Sequence, residues 1–167
     1  TMPQPSVPAP ELEKPAPPLP ELQKVEFKPP VIEYPGEIVE VQLGATKAEG
    51  GTRDYVVKLG GQKIMPFYRW LGPTPNPPVV SLDVFDMPIK LAKAVRIHIE
   101  DVMEDPAEWA KKCVDKFGAD MVTIHLISTD PYIKDTPAKE AAKTVEDVLQ
   151  AVKCPIIIGG SGNKDKD

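Results

Sequence analysis

The chain has 167 residues, 41% of them hydrophobic and 6% aromatic, which allows one domain with a modest core. Its net charge of −5 argues against a general nucleic-acid binder, which would present a basic face. No run approaches the roughly 18 apolar residues of a membrane helix and no charged-then-apolar leader opens the chain, so a soluble, cytoplasmic protein is expected.

Residues 1–36 hold about half of the 21 prolines, in runs such as Pro15-Ala16-Pro17-Pro18-Leu19-Pro20. Proline removes backbone donors and fixes φ, so this segment is expected to be a disordered, extended arm, a tether to a partner or a ligand for an aromatic groove. Residues 37–61 read as a β-hairpin: Ile38 to Leu43 and Tyr55 to Leu59 alternate, with a long loop between them. Met65 to Pro78 reads as irregular, with Asn76-Pro77-Pro78 a stiff entry to the next strand.

Residues 62–167 carry the α/β pattern. Val79 to Phe85 is the first predicted strand of a parallel set. Met87 to Met103 reads as a long connection, helical at Leu91 to Val95 and strand-like in alternation at Arg96 to Glu100. Asp105-Pro106-Ala107-Glu108 predicts a helix start with a cap, a proline at the first position and a capping box. Trp109, Cys113 and Phe117, with Ala110 and Val114, give that helix an apolar face, and Gly118 supplies its left-handed stop. Met121 to Ile127 is the second parallel strand. A second helix opens at Thr136-Pro137 with Ala141, Ala142, Val145, Val148, Leu149 and Val152 on one side. Pro155 to Ile158 is the third strand, ending at Gly159-Gly160. Three parallel strands are too few for a closed eight-stranded barrel, so the chain reads as the front of a larger protein or as an open sheet completed by partners.

In such folds the chemistry sits at the carboxyl ends of the strands. Strand parity turns Val80, Leu82, Val84, Val122, Ile124 and Leu126 to the helices and Ser81, Asp83, Phe85, Met121, Thr123, His125 and Ile127 inward. Asp83 and His125 then either satisfy each other or serve a ligand. Asp130 can bind a heterocycle nitrogen or start a turn. The loop Gly159-Gly160-Ser161-Gly162-Asn163 can cradle an anion or an amide-rich ligand, or simply turn tightly. Cys113 and Cys154 read as buried structural thiols and His98 as surface or packing. No catalytic triad or metal-ligand spacing is present, so no catalytic or metal-binding residue is assigned.

The ordered set Leu43-Gly44-Ala45-Thr46-Lys47, Gly50-Gly51-Thr52-Arg53, Met65-Pro66-Phe67, Asn76-Pro77-Pro78-Val79, Asp105 to Cys113, Gly118-Ala119-Asp120 and Gly160 to Asp167 resembles the small subunit of the corrinoid/iron–sulfur protein, the delta subunit of acetyl-CoA decarbonylase/synthase. The resemblance runs from about Val41 to the end. It implies the N-terminal portion of a TIM (β/α)8 barrel and a heterodimer with a large corrinoid/iron–sulfur subunit. That larger partner would carry the iron–sulfur cluster and most of the corrinoid (cobalamin-type) contacts, with no cluster in this chain. The pair would take a methyl group from methyl-tetrahydropterin toward the acetyl-CoA synthase complex. Candidate corrinoid-facing residues are Asp83, His125, Asp130, Gly160, Ser161 and Asn163. Two other readings are a pterin-binding TIM-barrel methyltransferase and a non-catalytic assembly scaffold.

Overall fold

The computed structural model describes residues 26–28, 35–63 and 74–167. The chain divides into units Thr1–Pro30 and Val31–Asp167. In the first, residues 26–28 are exposed and without regular structure. Residues 1–25 and 29–34 of the expected arm, and Met65-Pro66-Phe67, lie outside the described residues. Everything below concerns the second unit.

The hairpin is present but shorter than expected. Strands β1 (Val41–Leu43) and β2 (Val57–Leu59) pair antiparallel, Gln42 opposite Lys58. The loop between them is built rather than slack. Thr46 caps a 3-10 turn, Lys47–Glu49, and the Glu49 carboxylate accepts from the Thr46 amide and hydroxyl at 2.8 Å each. Hydrogen bonds between Ile38 and the Gly61–Gln62 pair continue the association past the regular strands, each 2.8 Å.

Strands β3 (Ser81–Phe85), β4 (Met121–His125) and β5 (Ile156–Gly159) form one parallel sheet in the order β3-β4-β5. The register sets Asp83 opposite Thr123 opposite Ile157, and Phe85 opposite His125 opposite Gly159. The sheet is open; among the described residues no closed barrel forms. The connection after β3 holds a single helical turn, α1 (Lys93–Arg96), and continues in turns through Glu104. The alternation at Arg96 to Glu100 forms no strand: Ile97 is exposed, while Ile99 and Met103, four residues apart at helical spacing, enter the core with Val102 packed beside them.

Helix α2 (Pro106–Asp115) begins as its sequence requires. The Asp105 carboxylate accepts from the amides of Ala107 (2.9 Å) and Glu108 (3.2 Å), with Pro106 in the first turn. The capping box is only half made. The Asp105 amide already donates to the Val102 carbonyl at 3.1 Å, and Glu108 turns to Lys111 at 3.9 Å. Trp109, Ala110 and Cys113 are buried, but Phe117 is exposed, because the helix has ended by then and the periodicity no longer aims it inward. Gly118 has φ +68°, the left-handed conformation that stops the helix.

Helix α3 (Ala138–Ala151) follows Pro137 and buries Ala141, Val145 and Val148; Ala142 faces out. The core joins Val84, Val122 and Ile124 of the sheet to Trp109, Cys113, Val145, Val148 and Cys154. Full burial of each large apolar side chain contributes about 1.5–3 kcal/mol. Val80 departs from its expected helix-facing place: it precedes β3 and is largely exposed.

The hairpin lies under the amino ends of the parallel strands. Tyr55 Oη donates to the Asp120 carbonyl (2.9 Å), just before β4, and the Asp54 amide donates to the Lys153 carbonyl (3.1 Å), just before β5. Gly44, at φ +82°, comes so close to Pro155 that a Cβ would sit 2.9 Å from the ring. One end of the sheet is thus plugged, and among the described residues the carboxyl ends carry no such plug.

Candidate functional site

The inward face of the sheet carries a polar row that runs from Ser81, at the amino end of β3, to His125, at the carboxyl end of β4. Ser81 Oγ and Thr123 Oγ1 hydrogen-bond at 2.8 Å, and one step along the strands His125 Nε2 lies 3.2 Å from Asp83 Oδ1. Phe85 stacks on the His125 ring, with centroids 5.0 Å apart and planes 21° off parallel. Phe85 also touches Trp109 of α2 at 5.8 Å, so at the strand end it bridges the inward face and the core. Gly159, beside His125 in register, leaves room for the ring: a Cβ there would sit 3.0 Å from Nδ1. Asp83 and His125 therefore do meet, and both keep exposed surface, 61% and 33% of their side chains.

The loops above this face are tied to each other. Asp86, immediately after β3, accepts from the Ser128 amide (3.1 Å) and the Ser128 hydroxyl (2.6 Å), while its own amide donates to the His125 carbonyl (3.1 Å). The sequence offered only a weak signal for this link, an acid at one strand end and a serine after the next. Strand β4 itself is shorter than the expected Met121 to Ile127: Leu126 (φ −89°, ψ 56°) leaves the strand, and a 3-10 turn, Ile127–Thr129, follows. Ile127 is thus no inward-facing strand residue.

Asp130 takes the turn option. Its carboxylate accepts from the Tyr132 amide at 2.9 Å, and its carbonyl accepts from the amides of Ile133, Lys134 and Asp135. Among the described residues no hydrogen bond joins it to Asp83, His125 or the glycine loop. That loop holds an anion, and the anion is internal. The Asp167 carboxylate accepts from the Ser161 amide (2.8 Å), the Ser161 hydroxyl (2.9 Å) and the Gly162 amide (2.6 Å). The Ser161 amide foremost holds its carboxyl below the usual value. Gly160 permits the approach, since a Cβ would fall 2.3 Å from the Asp167 carboxyl carbon. Asn163 caps the turn, its amide donating to Ser161 Oγ (3.1 Å) and its carboxamide oxygen accepting from Asp165 (3.1 Å).

Two arrays result: a partly exposed row of hydroxyl, carboxylate and imidazole groups that runs along the inward face to the carboxyl end of β4, and, beyond β5, a backbone cradle with a carboxylate in it. The buried Cys113 and Cys154 belong to the core, and His98 is exposed. No described helix is long and apolar enough to cross a membrane.

Residues 40–167 match the family described as the CO dehydrogenase/acetyl-CoA synthase delta subunit. The chain belongs to that family. It is 64% identical over 146 residues to the acetyl-CoA decarbonylase/synthase complex subunit delta of Archaeoglobus fulgidus, covering 87% of this chain and 32% of the relative. The subunit delta of Methanocaldococcus jannaschii is 60% identical over 145 residues, covering 86% and 35%. The subunit delta 1 of Methanosarcina thermophila is 62% identical over 137 residues, covering 82% and 31%. The chain thus spans about a third of the length of the curated delta subunits it matches.

Proposed function

We propose that this chain supplies one wall of a corrinoid site in the delta subunit of the acetyl-CoA decarbonylase/synthase complex, as the opening portion of a TIM (β/α)8 barrel. With a large corrinoid/iron–sulfur subunit, it would carry a methyl group between methyl-tetrahydropterin and the acetyl-CoA-forming centre, in the cytoplasm. Family membership supports the complex. The observation that carries the corrinoid reading is the Asp83–His125 pair toward the unplugged end of the sheet, with Ser81 and Thr123 continuing the polar row toward the other end.

The residues present fit such a group. A corrinoid is broad, flat and fringed with amides, which need both donors and acceptors at many points. Ser81 and Thr123 hydroxyls do either, Asp83 accepts, and the His125 ring, with Nε2 on Asp83, offers its other nitrogen. Bound there, the corrinoid would supply the cobalt that carries the methyl group; the chain supplies shape and orientation. The Phe85 stack and the Asp83 hydrogen bond hold the His125 ring at a fixed tilt, so its free nitrogen meets a ligand without first being ordered. The Asp86–Ser128 link keeps the two flanking loops from collapsing across the row.

The test is corrinoid retention in the full-length subunit assembled with its large corrinoid/iron–sulfur partner. His125→Ala should weaken corrinoid retention and slow methyl transfer by about tenfold, the equivalent of one or two lost hydrogen bonds. Subunit assembly should be unchanged. Corrinoid retention and methyl transfer at the original level would reject the reading. Loss of assembly with full retention would instead favour a scaffold.

A further inference from the structure

The imidazole of His125 is held on three sides by its own sheet. Nε2 lies 3.2 Å from Asp83 Oδ1, Phe85 stacks on the ring with centroids 5.0 Å apart, and Nδ1 lies against Gly159 of β5. An ionised carboxylate can only accept, so the Asp83 contact places the ring proton on Nε2. In the neutral ring Nδ1 is then left with a bare lone pair. The backbone carbonyls beside it are engaged elsewhere: that of Gly159 accepts from the Leu126 amide at 2.9 Å, and that of His125 from the Asp86 amide at 3.1 Å. Among the described residues His125 makes its one side-chain hydrogen bond through Nε2. Glycine at position 159 keeps the approach to Nδ1 clear, since a Cβ there would stand 3.0 Å from it. All of these contacts are made within β3, β4 and β5, on the face turned to the interior of the proposed barrel.

We infer that His125 Nδ1 is a preset hydrogen-bond acceptor that reads one carboxamide N–H on the corrinoid rim, so that His125 and Asp83 together select an amide-bearing corrinoid over its hydrolysed, carboxylate form. This selectivity presupposes the corrinoid reading and adds the polarity of one contact to it. A carboxamide N–H facing the lone pair completes a bond without reordering the ring, because Phe85 and Asp83 already hold it. A carboxylate in the same place has nothing to donate. It sets oxygen lone pairs against the nitrogen lone pair and brings a second negative charge toward Asp83. Asp83 is the positioning residue here, acting through the ring by fixing which nitrogen carries the proton. Ser81 and Thr123 share one hydrogen bond at 2.8 Å that either can donate, so they impose no polarity of their own.

Binding of a corrinoid series to the full-length subunit, assembled with its large corrinoid/iron–sulfur partner and stripped of corrinoid, tests this. The series holds the intact corrinoid, each derivative with one side-chain carboxamide hydrolysed to the acid, and the methyl ester of each acid. The ester is neutral and keeps the carbonyl but has no N–H, so it separates loss of the donor from gain of charge. At one ring position, acid and ester should both bind about tenfold more weakly than the amide. His125→Ala should weaken binding of the amide and erase its advantage over the ester at that position. Asp83→Asn, whose carboxamide can offer Nε2 either a donor or an acceptor, should shrink the advantage with His125 still present. Independently, 15N NMR of the histidine-labelled subunit, with His125 assigned by its loss in His125→Ala, should place the proton of the neutral ring on Nε2. Esters that bind as tightly as the amide at every position would overturn the selectivity. So would an advantage that survives His125→Ala, or a neutral ring protonated at Nδ1. Amide binding indifferent to His125→Ala would take the corrinoid reading down with it.

Discussion

The guanidinium of Arg53 donates to the carbonyl of Val152 at 2.8 Å, joining the hairpin loop to the end of α3 across 99 positions of sequence. The same side chain reaches the carbonyls of Leu149 (3.0 Å) and Cys154 (3.3 Å), and it is 7% exposed. The Leu149 and Val152 carbonyls stand in the last turn and at the cap of α3, where a helix leaves its carbonyls unpaired and the dipole is negative, and Cys154 follows in the turn into β5. Arg53 thus acts as a cap supplied from another element. It fixes the plug beneath the sheet to the helix above the core.

Arg53→Ala should therefore destabilise the unit by on the order of 3 kcal/mol, since it strips several charge-assisted bonds and leaves carbonyls buried. Arg53→Lys should recover only part, because one ammonium cannot span three carbonyls as the planar fork does. Denaturant midpoints at constant slope would report both values. Equal stability of all three proteins would refute the cap.

At the other end of the sheet, Gly159→Ala tests the placement of His125. The added methyl would press on Nδ1 at 3.0 Å and displace the ring from Asp83. Corrinoid retention should drop several-fold while the thermal midpoint moves little, since β5 tolerates alanine. A large stability loss with normal retention would show that the glycine serves packing alone.

The start of α2 depends on one carboxylate. Asp105→Ala should cost about 1 kcal/mol, the usual worth of a helix cap. Glu108→Ala should cost much less, because its return bond is not made. Hydrogen exchange at the amides of Ala107 and Glu108 would accelerate in the first variant and not in the second.

Cys113 gives the stability a pH dependence. Burial pushes its thiol from 9.0 up to about 11. Below pH 9 both folded and unfolded thiols are protonated and the group contributes no pH dependence. Between pH 9 and about 11 the unfolded chain releases a proton that the folded one keeps, so stability should fall as pH rises. Cys113→Ala should flatten that slope in a series of denaturant titrations, at the expense of a small cavity. An unchanged slope would contradict the assignment.

Much of the fold was legible in local patterns. Asp105-Pro106 and Gly118 bracket α2, Pro137 opens α3, and the Val122–Ile124 and Val145–Val148 spacings mark strand and helix, because caps and periodicity act over a few residues. Parity alone set Ser81, Asp83, Thr123 and His125 on one face, and a parallel register carries the side chains of one face into one row, where Ser81 meets Thr123 and Asp83 meets His125. The errors fall where an element ends. Phe117 and Ile127 continue a period past its last residue, whereas the long, partly helical connection expected from Met87 to Met103 is what the structure has.

Sequence by itself determined the α/β order, the family and the polar character of the inward strand face, all of them consequences of neighbours along the chain. Only the tertiary structure decided that Arg53 caps α3, that Asp86 ties to Ser128 and that Asp167 fills the glycine loop. Each of those is a hydrogen bond between groups whose proximity depends on where whole elements are set down. Such closeness is a property of packing, and no local pattern encodes it.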